Sequence, residues 1–214
     1  MGPYAGDVNT PSPRTDFIRY VALGDSYTIG TSIAANDAWP NQLVEALGDT
    51  VPMELVANLA VNGYATDDVI RSQLPMLGDL QPQFVSLLIG VNDVVRDVPL
   101  ERYRANVQQI LGTLLSQVPR ERIVVVSTPD YTRTPRGADF GDPEQQRAAI
   151  VEANAIVEAE AAERGIAFVD ISSIADQAGT DRTLVAGDQL HPSGAQYARW
   201  VELIAPAVRG LLEP

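Results

Sequence analysis

Cysteine and lysine are both missing from this chain of 214 residues, and histidine occurs once, as His191. Without cysteine there is no disulfide, no thiolate nucleophile and no cysteine-ligated zinc, and the compartment stays open. Without lysine there is neither a Ser-Lys dyad nor a Schiff-base mechanism. One histidine rules out a histidine-rich metal site. No apolar run approaches the ~18–20 residues of a membrane span. No run of basic residues stands out either. All fifteen basic residues are arginine, set against 28 acidic ones, for a formal net charge of −13. That field works against nucleic acid and anionic membrane surfaces as partners.

An apolar content of 45% over this length supports one well-buried core. Residues 1–16 are polar and rich in Gly, Pro, Ser and Thr, without a positive-then-apolar signal pattern. They are expected to form a flexible lead-in to a single domain over 17–214. As given, the chain reads as cytoplasmic, with export after removal of a signal segment left open.

Apolar, β-rich runs predict strands at 17–23, 53–57, 84–89, 123–126 and 166–169. Helical spacing between them predicts helices at about 37–47, from Thr66 to a stop at Gly78, at 100–118, at 143–164 and at 192–212. Strands alternating with helices imply parallel crossover units and a three-layer α/β/α sandwich.

Four short motifs follow strands and therefore fall on one edge of such a sheet, where ligands of open parallel sheets bind. Gly24-Asp25-Ser26-Tyr27 follows the first strand, and Asn62-Gly63-Tyr64 comes after the second. Gly90-Val91-Asn92-Asp93 follows the third, and Asp188-Gln189-Leu190-His191 lies beyond the fifth. A serine at a strand-to-helix turn exposes its hydroxyl, and it needs a base to take its proton, for which histidine is the usual choice. Asp188 is close enough in sequence to fix the tautomer and orientation of His191. The backbone N–H of Gly63 and the side-chain amide of Asn92 are donors suited to a developing oxyanion.

These blocks, in this order and with Pro192 after His191, resemble those of the SGNH (GDSL-type) hydrolase superfamily over about residues 17–212. Tyr27 stands where the short family name has leucine. The resemblance implies a flavodoxin-like five-stranded parallel sheet of order 2-1-3-4-5. It implies Ser26 as nucleophile, His191 as general base and Asp188 as its orienting partner. The oxyanion hole would comprise the Ser26 and Gly63 backbone N–H groups and the Asn92 side chain.

The reaction expected is hydrolysis of acyl esters, with short-to-medium acyl groups favoured, through an acyl-serine intermediate. The substrate is a small-molecule ester, and neither metal nor organic cofactor is required. Acyl transfer to an alcohol, thioester hydrolysis and carbohydrate deacetylation use the same triad and stay open. So does a non-enzymatic ligand-binding flavodoxin-like module, although no glycine-rich phosphate loop supports it. Tyr27, Tyr64, Val94, Val95 and Tyr131 are candidates for the substrate pocket. The long segment after the fourth strand, to about Asp142, is the candidate pocket wall or lid. Asp25 and Asp93 are expected to hold their loops, and Ser32 reads as an ordinary turn residue.

Overall fold

The computed structural model describes residues 17–213, so the lead-in expected over residues 1–16 lies outside the described residues. In chain order the elements are β1 (Ile18–Gly24), α1 (Ser26–Ile29), α2 (Trp39–Leu47), β2 (Met53–Asn58), α3 (Thr66–Asp68), α4 (Leu77–Leu80), β3 (Phe84–Leu88), α5 (Val91–Val95), α6 (Leu100–Gln117), β4 (Ile123–Val126), α7 (Pro143–Glu163), β5 (Ala167–Val169), α8 (Ser172–Ala175) and α9 (Gly194–Leu212). The five strands form one sheet in the order β2-β1-β3-β4-β5, with every pairing parallel.

Strand burial follows position in the sheet. Every residue of β3 and β4 is buried, as is most of β1, because helices cover both faces of the central strands. The edge strands β2 and β5 are only partly buried. Right-handed crossovers fix the layers. The step from β1 to β2 runs one way along the sheet, and the steps to β3, β4 and β5 run the other way. The intervening α2 therefore lies on one face, with α6 and α7 on the opposite one. The last helix, α9, packs against α2 through a core that includes Trp39 and Trp200, both fully buried.

The reversal of direction between β1 and β3 leaves a crevice beyond their carboxyl ends. β1 ends on a glycine and a second glycine follows β3 by two residues, both in the left-handed half of backbone space. A Cβ on Gly24 (φ 154) would lie 2.4 Å from the Leu88 carbonyl oxygen, and one on Gly90 (φ 140) would lie 2.6 Å from the Tyr103 hydroxyl. Only glycine lets the chain turn so close to its neighbours there. Buried Gln73 completes the end of β1. Its amide donates to the Gly24 carbonyl (2.7 Å), and its carbonyl accepts from the Gly24 N–H (3.0 Å).

Residues 66–80 depart from the single helix expected. They divide into α3, a π turn over Val69–Gln73, a 3-10 turn over Leu74–Met76 and α4. The helix does not stop at Gly78; it ends at Gln81, which is left-handed (φ 46). Pro75 has no N–H to donate and its ring crowds the preceding turn, which loosens the helical register ahead of it. No helix among the described residues is long and apolar enough to cross a membrane.

Candidate active site

Ser26 is the first residue of α1, and Asp25 before it caps that helix, accepting from the Tyr27 N–H at 2.9 Å. The four-residue helix ends at Gly30, which is left-handed and donates its N–H to the Ser26 carbonyl. This tight strand-to-helix turn holds the serine at the mouth of the crevice, 7% exposed. Asn92 lies across the crevice in α5, a short helix that the sequence pattern does not predict.

His191 arrives on a hairpin closed by an antiparallel bridge between Val185 and Pro192 and by the Ala186 N–H donating to the His191 carbonyl at 2.7 Å. At its tip Gln189 adopts a left-handed conformation (φ 64). Asp188 Oδ1 accepts the backbone N–H groups of Leu190 and His191, both at 3.0 Å. Asp188 Oδ2 lies 2.6 Å from His191 Nδ1 and accepts the Ser32 hydroxyl at 2.7 Å. Partial burial works against the charge on Asp188. The hydrogen bonds from Ser32, His191 and the two backbone N–H groups outweigh it and hold the carboxyl well below its usual range. An ionised Asp188 keeps the proton on Nδ1, which leaves Nε2 as the free acceptor.

Asp25 is the opposite case. It is fully buried, and desolvation pushes its carboxyl up to about 7. The Tyr27 hydrogen bond resists that shift and the nearby Asp93 adds to it. Burial also raises Asp93, which accepts the Thr66 N–H and hydroxyl at the start of α3.

A cavity of about 50 Å³ is lined by Ser26, Tyr27, Val91, Asn92, Val95, Tyr131, Phe140, Leu190 and His191. It thus brings together Ser26, Asn92 and His191, with Asp188 behind the imidazole. The Tyr27 ring packs against His191, with centroids 5.3 Å apart. Among the described residues no hydrogen bond joins Ser26 to His191. Such contacts commonly tighten only when substrate is bound. A larger groove of about 460 Å³ at the opposite edge of the sheet is lined by Phe17, Pro82, Gln117, Arg122 and their neighbours, with neither a nucleophile nor a base.

Several candidates fall elsewhere. Tyr64 does not line the cavity; its carbonyl instead accepts the Asn92 amide at 2.8 Å. The same amide reaches Asp25 at 3.4 Å. Val94 is turned toward α7. In a helix of 100° per residue, Val91 and Val95 lie about 40° apart, and Val94 lies about 60° from Val91 on the side away from Val95. Gly63 does not line the cavity either, and its carbonyl accepts from Arg96 at 2.6 Å. Phe140, Leu190 and Val91 are wall residues absent from the sequence reading.

The segment after β4 is the expected wall, though not structureless. Short 3-10 turns run over Tyr131–Arg133 and Gly137–Phe140. The Tyr131 and Phe140 rings meet edge to face at 5.7 Å, and the Tyr131 hydroxyl donates to Gln146 at 2.6 Å. The Arg136 N–H donates to the Gln189 carbonyl at 3.2 Å, tying this wall to the hairpin that carries Asp188 and His191.

The fold and the family it carries define a carboxylic ester hydrolase of the three-layer α/β type. The sequence profile of the GDSL-like Lipase/Acylhydrolase family matches residues 22–199, and the chain belongs to that family, within the SGNH hydrolase superfamily. A lipase from Streptomyces rimosus is 27% identical over 196 residues, 76% of this chain and 73% of the relative. Among solved structures, a lipase/acylhydrolase from Enterococcus faecalis superposes with a TM-score of 0.71 at 21% identity, covering 92% of this chain and 98% of that one. An acetyl xylan esterase from Geobacillus stearothermophilus superposes with a TM-score of 0.69 at 18% identity, covering 89% and 94%.

Proposed function

We propose that the chain hydrolyses small acyl esters through an acyl-serine intermediate, with Ser26 as nucleophile, His191 as general base and Asp188 orienting the imidazole. The observation that carries this reading is one cavity lined by Ser26, Asn92 and His191, with a carboxylate 2.6 Å from the far imidazole nitrogen. His191 takes the Ser26 proton as Oγ attacks the ester carbonyl, then delivers it to the departing alcohol. It next takes a proton from water, which attacks the acyl-serine, and passes that proton to Ser26 Oγ as the acid leaves. The Asn92 amide and the Ser26 backbone N–H receive the oxyanion, and the Gly63 N–H, outside the cavity's lining in this structure, would join them as the third donor. Asn92 exchanges its long contact with Asp25 for that role.

The acyl group sits against Tyr27, Val91, Val95, Tyr131, Phe140 and Leu190. The cavity is small, at about 50 Å³. That supports the lower end of the short-to-medium range, acetyl to propionyl.

Hydrolysis of p-nitrophenyl esters from acetate to octanoate, by the native chain and by Ser26→Ala, tests both statements. The expected result is a profile falling steeply beyond propionate, and its loss in the variant. Activity unchanged in Ser26→Ala would overturn the nucleophile assignment, and a maximum at octanoate would overturn the acyl size.

A further inference from the structure

Ser32 is exposed and looks like a residue of an ordinary turn, yet its backbone is left-handed (φ 67). For an L-residue other than glycine, asparagine or aspartate, that conformation is costly and calls for a reason in the surrounding structure. The hydroxyl supplies one, because it reaches across 156 positions of sequence to Asp188 Oδ2 at 2.7 Å.

The four hydrogen bonds on Asp188 divide unequally. Three come from its own hairpin: the Leu190 N–H, the His191 N–H and His191 Nδ1. Among the described residues, Ser32 is the one donor from outside that hairpin. It also shares the very oxygen that faces the imidazole. The preceding residue does a parallel job, with the Thr31 hydroxyl 2.6 Å from Asn62 Oδ1, next to Gly63. Thus the chain leaving α1 grips both the hairpin that carries the base and the loop that carries Gly63.

Resting on the triad reading above, we propose that Ser32 is a positioning residue: its hydroxyl fixes the Asp188 carboxylate, and with it the His191 imidazole, over Ser26. The strained backbone at position 32 is what delivers that hydroxyl. The charged and titratable groups around Asp188 are His191 on its own hairpin, Tyr27 from α1 and Tyr197 from α9. Both tyrosines are buried phenols held neutral by desolvation, so the balance on Oδ2 lies between Ser32 and His191.

The sign of the effect follows. A carboxylate that loses the Ser32 donor has more charge to offer Nδ1–H and favours the protonated imidazole. The acid limb of the kcat/KM profile then moves to higher pH.

The test compares Ser32→Gly and Ser32→Ala with the native chain, using p-nitrophenyl acetate from pH 5 to 9 together with urea denaturation. Glycine removes the hydroxyl and relieves the left-handed backbone, whereas alanine removes the hydroxyl and keeps the strain. The expected result for Ser32→Gly is a fall in kcat of about tenfold, the scale of a hydrogen bond to a charged group. KM should stay within about twofold, the acid limb should move up, and the urea midpoint should be equal or higher. Native kcat and an unmoved acid limb in Ser32→Gly would overturn the proposal. So would a loss of turnover matched by a loss of stability with the pH profile unchanged. Ser26→Ala, run alongside, separates the two levels: if it is inactive, those outcomes bear on Ser32 alone, and if it is active, the triad reading fails first and Ser32 with it.

Discussion

Two aspartates flank the same cavity, and their surroundings push them in opposite directions from the usual carboxylate range. Asp188, on the hairpin, keeps part of its surface in water and collects four donors, so it stays ionised. Asp25, beneath the serine, is sealed from water beside a second buried carboxylate, and its proton is retained up to about neutral pH. Residue type is identical, so environment alone assigns the roles. In the proposed mechanism a charge is useful behind the imidazole, where it stabilises the imidazolium of the transition state. Beneath the serine it would oppose the oxyanion of the proposed mechanism, and there the burial of Asp25 disfavours it.

The largest effects test the ionised half. Ser26→Ala should cut turnover of p-nitrophenyl acetate by on the order of 10⁶-fold. Asp188→Asn should cost about 10⁴-fold in kcat by presenting the wrong tautomer, with circular dichroism unchanged. Asp25→Asn keeps the cap on α1 and mimics the neutral acid, so its loss should stay within about tenfold by the same assay. Comparable losses from Asp25→Asn and Asp188→Asn would collapse the contrast. Asn92→Ala should fall between, at about 10²–10³-fold in kcat.

The smallest effect is on stability. Asp25 titrates higher in the fold than its unfolded value of 3.8. Its contribution is therefore full below about pH 4 and lost as the pH rises through about 7. Asp188 has the reverse sign: its contribution is present above about pH 4 and is lost on acidification. Urea midpoints at pH 5 and pH 8 should show the native chain weakening across this interval and Asp25→Asn weakening less. Equal slopes would mean that Asp25 does not titrate there.

The regular fold was legible because long apolar runs and 3.6-residue spacing report burial directly. Strand β4 is bounded by its four β-branched residues, and α7 by Asp142 with Pro143 and by Gly165. Helix α5 was not legible. Five residues are too few for periodicity, and without that helix the faces of Val91, Val94 and Val95 could not be told apart. The contribution of Ser32 was hidden for another reason: its partner is distant in sequence, and a serine in a turn gives no local sign of a left-handed backbone. Phe140 and Leu190 reach the cavity only through tertiary docking of two loops, which local pattern does not encode.

A backbone hydrogen bond from Arg136 to Gln189 joins one wall of the cavity to the hairpin that carries His191, the base in the proposed mechanism. Selectivity and speed are thereby placed on one mechanical part. Enlarging the room around Phe140 for a longer chain also tugs on the imidazole. In such a molecule a broader diet comes at the expense of pace, unless a second change lets the hairpin settle again.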